Sequence, residues 1–532
     1  MQFFLNWLDR IGGIQGENLL AKWLERIAFF FLILMTLAAP LSIAATQTAW
    51  LAGMFVWVIR LLINPRPKLV RTPLAAPLWT LFGWSVLTAV FSYAPDISID
   101  KLRNAALFLI FYFIINVVRT KRAVFFLAFA LIFSATIVSL WTPIERVIGR
   151  GTEISDLKPN SPLAKALLMN GDTLLEADKK KIRQPQDLVG EIEQNETVSL
   201  VVYRQDYSFE VKIKRADLLG GETALEKLGI GAWKPSHSWR AQGFFSHFTT
   251  FAEVLQLVMS LAFGLFIALI SKELTSSKEN RKSQIANRKS KILQPQIVFL
   301  ALCLAIMTLA LLLSETRASQ GAFLVSALAI VLINGNRKLI YAAAAVLLPL
   351  ALAGVFIVRQ NRQIGIIDPN DNSTQYRMMM WRDGLRLWTT SARNFVFGVG
   401  MDSIKRYWRE WDLFDKGTQP MGHFHSTPIQ LAVERGFPAV IFWFWILWVY
   451  ARTLWRNLKS EIKNPKAVDW RERGITLGAF GGLAGFFASG WVHYNYGDAV
   501  VAMAFFIVMG LSVRLMVNGK WLMVNGKYLV FH

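Results

Sequence analysis

The chain has 532 residues, of which 54% are apolar and only 18% are charged, and its mean hydropathy is positive. This composition excludes a set of soluble domains, because repeated apolar stretches of about 17 to 25 residues are long enough to cross a bilayer core. The formal net charge of +22 suits either nucleic acid or a membrane surface. Much of the excess lies in short loops between apolar runs, so we expect contact with the lipid bilayer and no nucleic-acid partner.

The predicted fold is that of an all-α polytopic membrane protein with twelve transmembrane helices. Residues 1–25 alternate apolar and polar groups, which predicts an interfacial helix that leads into the first span. The predicted spans lie near 27–45, 47–64, 75–93, 104–118, 123–143, 249–270, 297–314, 319–335, 339–358, 428–451, 474–491 and 498–516.

The loops between the spans predict the orientation. Every second loop is rich in lysine and arginine, so these loops and both termini are expected to be cytoplasmic. The opposite loops, which are predicted to lie outside, are 94–103, 144–248, 315–318, 359–427 and 492–497. The chain thus divides into spans one to five (1–148), an outer insert (149–218), spans six to twelve with the large loop 359–427 (219–516), and a cytoplasmic tail (517–532).

The insert has the composition of a small soluble domain. Residues 197–204 and 207–214 read as two strands joined by a short turn, and Ser161-Pro162 opens a helix with proline at its first position. A second helix is predicted at 186–193. The candidate core residues are Ile154, Leu157, Leu163, Ala166, Leu167, Leu174, Leu175, Ile182, Leu188, Ile192, Val198, Leu200, Val202, Val211 and Ile213.

The order of these pieces resembles a bacterial PDZ domain. The matching residues are Ile154 to Ala166, Gly171-Asp172-Thr-Leu-Leu-Glu, the helix 186–193 and the closing Val-Ser-Leu-Val-Val-Tyr-Arg. The resemblance implies an α+β module that binds an extended peptide or protein partner at a sheet edge, with segment 149–154 facing the peptide carboxylate. The chain departs from the family at Asp178-Lys-Lys-Lys-Ile, which has no glycine, and a rigid spacer with an empty groove is the alternative.

Charged residues gather at the predicted outer ends of the later spans. Arg240 precedes span six, and Arg317 lies in the short turn between spans seven and eight. A charge at this depth is costly and usually faces a cavity or a partner. An ion pair between Arg317 and Glu315 is the alternative explanation.

The loop 359–427 contains a predicted amphipathic helix at 375–388. Arg377 lies beside its apolar face, whereas Arg382 and Arg386 lie on the far side. Arg377 is therefore the preferred ligand contact and Arg382 the second. The predicted apolar face consists of Met378, Trp381, Leu385 and Trp388.

The same loop ends in His423-Phe-His425, followed by Ser426. A His-X-His pair can hold a metal, but the sequence offers no convincing third ligand, so no metal is expected. A histidine at the mouth of a span, among arginines, is a candidate general base because its ordinary pKa lies near neutrality.

Together these motifs resemble the O-antigen ligase and polymerase superfamily of bacterial membrane glycosyltransferases. The resemblance spans roughly residues 237–450 and depends on the order and spacing of several motifs. These are Ser314-Glu-Thr-Arg317-Ala-Ser-Gln-Gly321, Arg377-Met-Met-Met-Trp381, Phe397-Gly-Val-Gly400, His423-Phe-His425-Ser and Pro428-Ile-Gln-Leu-Ala-Val-Glu434-Arg-Gly436-Phe-Pro.

The resemblance implies transfer of a glycan from undecaprenyl pyrophosphate to an acceptor hydroxyl at the periplasmic face of the inner membrane. The implied displacement is inverting and needs neither a metal nor a cofactor. By position, His425 would remove the acceptor proton, and Arg317 and Arg377 would bind the departing pyrophosphate. Ser426 stands where the family often has Asn. The further expected substrate contacts are Arg382, Arg240, His423 and Gly400.

Several functions stay open at this point. The acceptor is lipid A core in a ligase, a growing polysaccharide in a polymerase, or a protein in an O-oligosaccharyltransferase, and the insert mildly favours a peptide acceptor or protein partner. A lipid or polysaccharide transporter is the alternative of another class. Transporters often contain inverted repeats, but no repeat of spans is found and the long outer loop favours an enzyme. The sequence identifies neither the glycan, the acceptor nor the oligomeric state.

Overall fold

The computed structural model describes residues 2–14, 18–204, 207–237, 239–282, 294–345, 349, 372–417, 422–463 and 468–520. Their contacts form two compact units. The membrane unit consists of Met1–Val138, Phe244–Leu312 and Thr316–His532, and the insert unit consists of Ser139–Gly243 and Leu313–Glu315.

Seven helices in the described part of the chain are long and apolar enough to cross a membrane. Together with the mostly helical content they confirm a polytopic membrane protein, while the number of twelve stays a prediction. The ninth predicted span, near 339–358, falls largely outside the described residues. The seven are Ile43–Leu62, Lys121–Ile148, Phe248–Leu274, Pro295–Leu313, Arg317–Asn334, Thr427–Ser460 and Ala499–Val517.

Helices also occur where other spans are predicted, with different ends. Leu19–Ala38 begins before the predicted span 27–45, because the side chain of Asn18 caps it by accepting the N–H of Ala21 at 2.6 Å. The predicted span 104–118 is interrupted by a 3₁₀ turn. Further helices are Gln2–Gly12, Ala75–Val90, Pro95–Asp100, Leu102–Ala105, Leu109–Val117, Asn372–Thr389, Ala392–Phe397, Ile404–Tyr407, Leu413–Gly417 and Trp470–Gly490.

Helices Phe248–Lys282 and Trp470–Gly490 approach each other closely because glycines face one another. A Cβ atom on Gly264 would lie 2.3 Å from the backbone nitrogen of Gly478, and one on Gly478 would lie 2.6 Å from the Cα of Leu261. In a membrane, close packing of small residues is a main source of helix association. The two helices therefore pack backbone against backbone at these glycines.

Replacement of Gly478 by leucine is expected to destabilise the membrane unit. The new side chain has no space between the two helices, and overpacking of a tight contact typically costs about 1–3 kcal/mol. Thermal unfolding of the purified variant in detergent measures the loss. Gly83→Leu is the matched control, because a Cβ there meets nothing within 4 Å; equal melting temperatures for the two variants would contradict the packing argument.

The insert unit contains a six-stranded sheet with three helices. The strands are β1 (Thr152–Ser155), β2 (Thr173–Ala177), β3 (Lys180–Lys181), β4 (Thr197–Arg204), β5 (Tyr207–Lys214) and β6 (Ala232–Pro235), and the helices are Pro162–Lys165, Pro185–Gln194 and Ala224–Leu228. The main path of the sheet runs β5-β4-β2-β1-β6, and β3 pairs with β2. The predicted hairpin is confirmed, with Thr197 opposite Lys214, and so are the two predicted helices.

The insert core agrees with the predicted set except at one clear position. Leu167 is 78% exposed because the chain turns there with a φ of 65°. The buried core residues are Ile154, Leu163, Leu168, Leu174, Ala177, Ile182, Leu188, Val189, Ile192, Val198, Leu200, Val202, Ile213, Leu228 and Ile230.

The sheet edge that the PDZ resemblance assigns to a peptide is already paired. Strand β1 (Thr152–Ser155) includes the second half of the proposed carboxylate-facing segment 149–154, and it pairs with β2 on one side and with β6 on the other. Strand β6 lies beyond residue 218, so the sheet extends past the predicted boundary of the insert. A peptide would have to displace Ala232–Pro235 to add beside β1, and the structure therefore gives no support to peptide binding at this edge.

Candidate functional site

The histidine segment lies immediately before the helix Thr427–Lys463. Phe424 is fully buried, its N–H donates to Gln430 Oε1 at 2.8 Å, and Gln430 Nε2 donates to Glu434 Oε1 at 2.9 Å. His425 has a φ of 46°, a left-handed conformation that histidine adopts more readily than most side chains. The helix thus fixes the backbone of His425 through its neighbour Phe424.

The rings of two histidines and two tyrosines lie close together at this segment. The ring centroids of His423 and His425 are 4.3 Å apart, and the backbone N–H of His425 donates to His423 Nδ1 at 3.2 Å. The ring of Tyr376 lies 5.9 Å from that of His425, and the ring of Tyr494 lies 5.8 Å from that of His423. The loop 491–498 and the helix Asn372–Thr389 therefore both contribute to the site.

The electrostatic environment keeps the imidazole of His425 neutral. Burial, together with a smaller contribution from the charge of nearby side chains, lowers the pKa of His425 to about 2. Burial also lowers the pKa of His493 to about 3. A neutral imidazole has a nitrogen that can accept a proton. The groups whose charge acts on His425 are His423, His493, Arg377 and His247.

Arg377 lies on the histidine side of the helix Asn372–Thr389. Its side chain is half-buried, and its positive charge lowers the pKa of both His425 and His493. Arg382 is exposed, with its Nε 3.5 Å from Asp383 Oδ1. The charge of Arg377 thus acts on the imidazole of His425, which lies next to His423, whereas Arg382 lies on an exposed face of the same helix.

The apolar face predicted for this helix is wrong at two of its four residues, whereas Trp381 and Trp388 are half-buried and Trp388 packs against the buried cluster. Met378 and Leu385 are 56% and 43% exposed, whereas Met380 and Leu387 are buried. The buried face is selected by a polar contact, because the buried carboxylate of Asp383 accepts the N–H of Phe414 at 3.1 Å.

Arg317 begins the helix Arg317–Asn334 and lies two residues before a buried polar network. Ser319 Oγ donates to Glu253 Oε1 at 3.1 Å, and Ser489 Oγ donates to Glu253 Oε2 at 2.8 Å. The side chains of Glu253, Ser319 and Ser489 are buried. One carboxylate therefore joins the helices Phe248–Lys282, Arg317–Asn334 and Trp470–Gly490 near the ends that the basic loops predict to lie outside.

The network continues from Ser489 to the start of the helix that follows His425. Asn495 Nδ2 donates to Ser489 Oγ at 2.9 Å, and Thr427 Oγ1 donates to Asn495 Oδ1 at 2.9 Å and to the carbonyl of His493 at 3.2 Å. Thr427 and Asn495 are buried. The network thereby links the N-terminus of the helix that begins with Arg317 to the segment that carries His425.

Glu253 is expected to position the site. Glu253→Ala removes the carboxylate that accepts from the buried hydroxyls of Ser319 and Ser489. Ser489 then keeps only its longer bond to the carbonyl of Phe486 at 3.3 Å, and each buried group left unsatisfied costs about 1–3 kcal/mol. We expect a lower melting temperature and at least a tenfold slower transfer per folded molecule. Glu253→Gln retains an oxygen acceptor and an amide of similar size, so it should keep both within a few-fold of wild type. Equal behaviour of the two variants would exclude the positioning role.

Gly400 has a packing role. Its φ is 99°, and a Cβ there would lie 1.8 Å from Ser92 Oγ. Its N–H donates to the carbonyl of Glu434 at 2.9 Å. The neighbouring Gly398 fits against the helix in the same way, because its Cβ would lie 2.4 Å from the backbone nitrogen of Arg435. The close packing and the positive φ therefore explain why position 400 is glycine, without the predicted substrate contact.

Arg240 belongs to the insert unit. Its Nε lies 3.9 Å from Glu315 Oε2, and Arg146 Nη2 lies 4.0 Å from Glu315 Oε1. Glu315, which the sequence offered as an ion-pair partner of Arg317, thus lies near Arg146 and Arg240 of the insert unit.

Sequence reasoning missed Glu253 and His493 as site residues. An acid inside a predicted span is itself a signal of function, so Glu253 was identifiable, whereas His493 lies in a short outer loop with no motif around it. His493 Nε2 and Ser426 Oγ are buried and have no hydrogen-bond partner among the described residues. Within that part of the chain, no group of three or more His, Cys, Asp and Glu side chains is placed to hold a metal ion.

Comparison with known proteins supports the resemblance. Residues 302–444 match the O-antigen ligase family, and this range includes Arg317, Arg377 and His425. No curated protein matches the chain. The family match and the apolar helices indicate a multi-pass bacterial membrane protein that takes part in glycan transfer during the synthesis of cell-surface polysaccharide.

Proposed function

We propose that the protein is an O-antigen ligase-like glycosyltransferase. Its donor is a glycan on undecaprenyl pyrophosphate, and its acceptor is a hydroxyl of lipid A core or a related cell-surface molecule at the periplasmic face of the inner membrane. The observation that carries the proposal is the neutral, half-buried His425 beside Arg377 within the region that matches the O-antigen ligase family.

The reaction follows from these two side chains. The acceptor oxygen attacks the anomeric carbon from the side opposite the pyrophosphate, and its proton passes to the imidazole of His425. The bond between the anomeric carbon and the phosphate oxygen breaks, and the electron pair leaves with the pyrophosphate. Arg377 and Arg317 stabilise the negative charge that develops on the departing oxygens. Attack from the opposite side inverts the anomeric configuration.

Binding of the donor activates the base. In the free protein, burial and neighbouring positive charge hold the pKa of His425 far below its ordinary value. A pyrophosphate beside the histidine brings opposite charge, which favours the protonated imidazole and raises the pKa again. His425 therefore becomes a more effective base in the complex in which it is needed, whereas its lowered pKa favours the neutral form in the free protein.

The pH profile of kcat/KM is expected to differ from the pH profile of kcat. The value of kcat/KM for the donor reports the free enzyme, in which the lowered pKa keeps His425 unprotonated, so this profile should have no acidic limb between pH 5 and 8. The value of kcat reports the complex, and it should fall as pH drops through the raised pKa. Steady-state kinetics with a lipid-linked glycan measures both profiles. An acidic limb near pH 6.5 in kcat/KM that disappears in His425→Gln would contradict the lowered pKa.

The same catalytic groups also suit an acceptor other than lipid A core. A polymerase or a protein O-oligosaccharyltransferase needs the same base and the same cations for pyrophosphate. Incubation of the protein with the donor and each acceptor in turn distinguishes the three, because only the matching acceptor gains the glycan.

A further inference from the structure

The helix Asn372–Thr389, which we call the loop helix, has an apolar sector that the protein does not cover. At about 100° per residue, four apolar residues follow one another within about 80° of its circumference. They are Trp388, Trp381, Leu385 and Met378. Met378 and Leu385 are exposed, whereas the buried Met380 and Leu387 lie on a different side, which packs into the protein. The loop helix therefore carries more apolar side chains than its packing uses.

A cationic sector borders the apolar one. On the helical wheel, Arg382 and Arg386 come directly after Met378. The side chain of Arg382 is 71% exposed and its Nε lies 3.5 Å from Asp383 Oδ1, so most of its guanidinium is accessible. A contiguous exposed apolar patch marks an interaction site. Adjacent apolar and cationic sectors are typical of a helix that lies in a membrane interface.

The ring of Trp388 connects this apolar sector to the neighbouring membrane-spanning helix. Trp388 and Phe395 stack with their ring centroids 4.8 Å apart, and Phe395 and Phe437 stack at 5.5 Å. Trp388 Nε1 donates to the carbonyl of Phe395 at 3.1 Å, which fixes the first of these contacts. Phe395 and Phe437 are themselves exposed. The three rings therefore form one continuous apolar surface from the loop helix to the helix Thr427–Lys463.

Phe437 begins an exposed stripe along the helix Thr427–Lys463. After the kink at Gly436, exposed apolar residues recur three, four or seven positions apart, which places them on one face of the helix. They are Phe437, Ile441, Phe444, Trp448 and Trp455. In a helix that is long and apolar enough to cross a membrane, acyl chains cover such a stripe. The apolar sector of the loop helix is thus continuous with the lipid-facing surface of the span.

We propose that the loop helix docks into the headgroup region of the bilayer, on phospholipids of the leaflet that the basic loops predict to be the outer one. Met378 and Leu385 contact the acyl chains, and Arg382 binds lipid phosphates. The two half-buried tryptophans lie at the level of the headgroups, where tryptophan is enriched in membrane proteins. The contact sets the depth of Arg377, which directly precedes Met378 on the loop helix.

Charge complementarity favours phospholipids over a second copy of the chain. A twofold contact through this sector would bring the cationic sectors of two copies together, and like charges that face each other are unfavourable. Lipid phosphates carry the opposite charge, and the apolar sector is joined to a stripe that already faces lipid. The docking surface does not depend on the proposed transfer reaction, and its test requires no activity.

The test measures the depth of spin labels on the full-length chain in nanodiscs of phosphatidylethanolamine and phosphatidylglycerol. In a Cys303→Ala background, a nitroxide is attached at Met378→Cys or at Leu385→Cys. Electron paramagnetic resonance then compares collisions with oxygen, which is enriched among acyl chains, and collisions with a water-soluble nickel chelate. We expect both labels to collide mainly with oxygen and to lie about 5–10 Å into the boundary between headgroups and acyl chains.

Three further labels in the same background serve as references. Trp448→Cys lies on the lipid-facing stripe and should collide mainly with oxygen. Glu410→Cys lies on an exposed turn of the loop 359–427 and Gln375→Cys on the cationic sector of the loop helix, so both should collide mainly with the chelate. All five labelled side chains are exposed, so the labels should leave the melting temperature unchanged.

Two results would overturn the proposal. If the labels at positions 378 and 385 collide with the chelate as often as the label at position 410, the sector faces water. If both labels are protected from oxygen and from the chelate, protein covers the sector, and magnetic coupling between labels would identify a second copy as the occupant.

Arg382→Gln tests the contact with lipid phosphate. Loss of the cation should move the label at position 385 toward water, which is measured as a higher ratio of chelate collisions to oxygen collisions. Arg409→Gln removes an exposed arginine of the same loop, so it is the matched control and should leave the ratio unchanged. An unchanged ratio in Arg382→Gln, or an equal change in both variants, would contradict the phosphate contact.

Discussion

Replacement of His425 by alanine is expected to stop glycan transfer while the protein folds and inserts normally. A positioned general base contributes about 10²–10⁴-fold to a reaction rate, and the proposed mechanism assigns this role to His425, which directly precedes the helix Thr427–Lys463. In cells, lipid-linked glycan should accumulate and the final glycoconjugate should disappear. Gel analysis of glycolipids, with the protein level measured in the same membranes, shows both changes.

His237→Ala is the matched control for this experiment. His237 lies in the insert unit, where its Nδ1 is 2.8 Å from the carbonyl of Arg146, so its loss should leave transfer unchanged. Normal glycoconjugate in His425→Ala at normal protein level would remove the general base from the mechanism. Loss of both activity and membrane protein in His425→Ala would require the comparison with His425→Gln, which keeps a polar side chain of similar size.

Replacement of Arg377 by alanine is expected to lower kcat by about 10²–10³-fold, because a preorganised donor to the developing negative charge is removed. Arg377→Lys keeps the charge but loses the planar pair of donors, so it should recover only part of this loss. Single-turnover kinetics with a lipid-linked glycan separates the chemical step from donor binding. Arg377→Ala should also raise the pKa of His425 slightly, since the Arg377 charge lowers it.

Arg409→Ala provides the comparison within the same loop. Arg409 is exposed and lies over the ring of Trp408 at 4.9 Å, away from the histidine segment, and its loss should change kcat less than twofold. If Arg409→Ala and Arg377→Ala slow the reaction equally, the loop acts through its total charge, and the specific role of Arg377 is wrong.

Much of the membrane architecture was predictable, since long apolar runs separated by basic loops leave few alternatives. A site that includes His425 and Arg377 was also predictable. Both residues belong to the loop 359–427, in which the amphipathic helix can pack against the start of the next span. The orientation of that helix was not predictable from hydropathy. The carboxylate of Asp383 fixes which side is buried, because it accepts the backbone N–H of Phe414. Met378 and Leu385 are apolar but exposed, so the helical wheel predicted the wrong side for them.

The long-range polar contacts could likewise not be predicted from the sequence. Glu253 joins Ser319 and Ser489, and nothing in the spacing of these residues indicates which serines meet the acid. Strand Ala232–Pro235 has no alternating pattern long enough to predict it, yet it fills the edge of the insert sheet. In each case the partner is selected by packing between distant segments, which a local pattern does not record.

The most direct test of the central claim is transfer by the purified protein in sealed vesicles. The vesicles contain undecaprenyl pyrophosphate that carries a radiolabelled glycan, and an acceptor is present on the outer face. We predict that the label moves to the acceptor with inverted anomeric configuration, that undecaprenyl pyrophosphate is released, and that His425→Ala does neither. Movement of the intact labelled lipid across the bilayer, with no release of undecaprenyl pyrophosphate from its glycan, would contradict the transferase and favour a transporter.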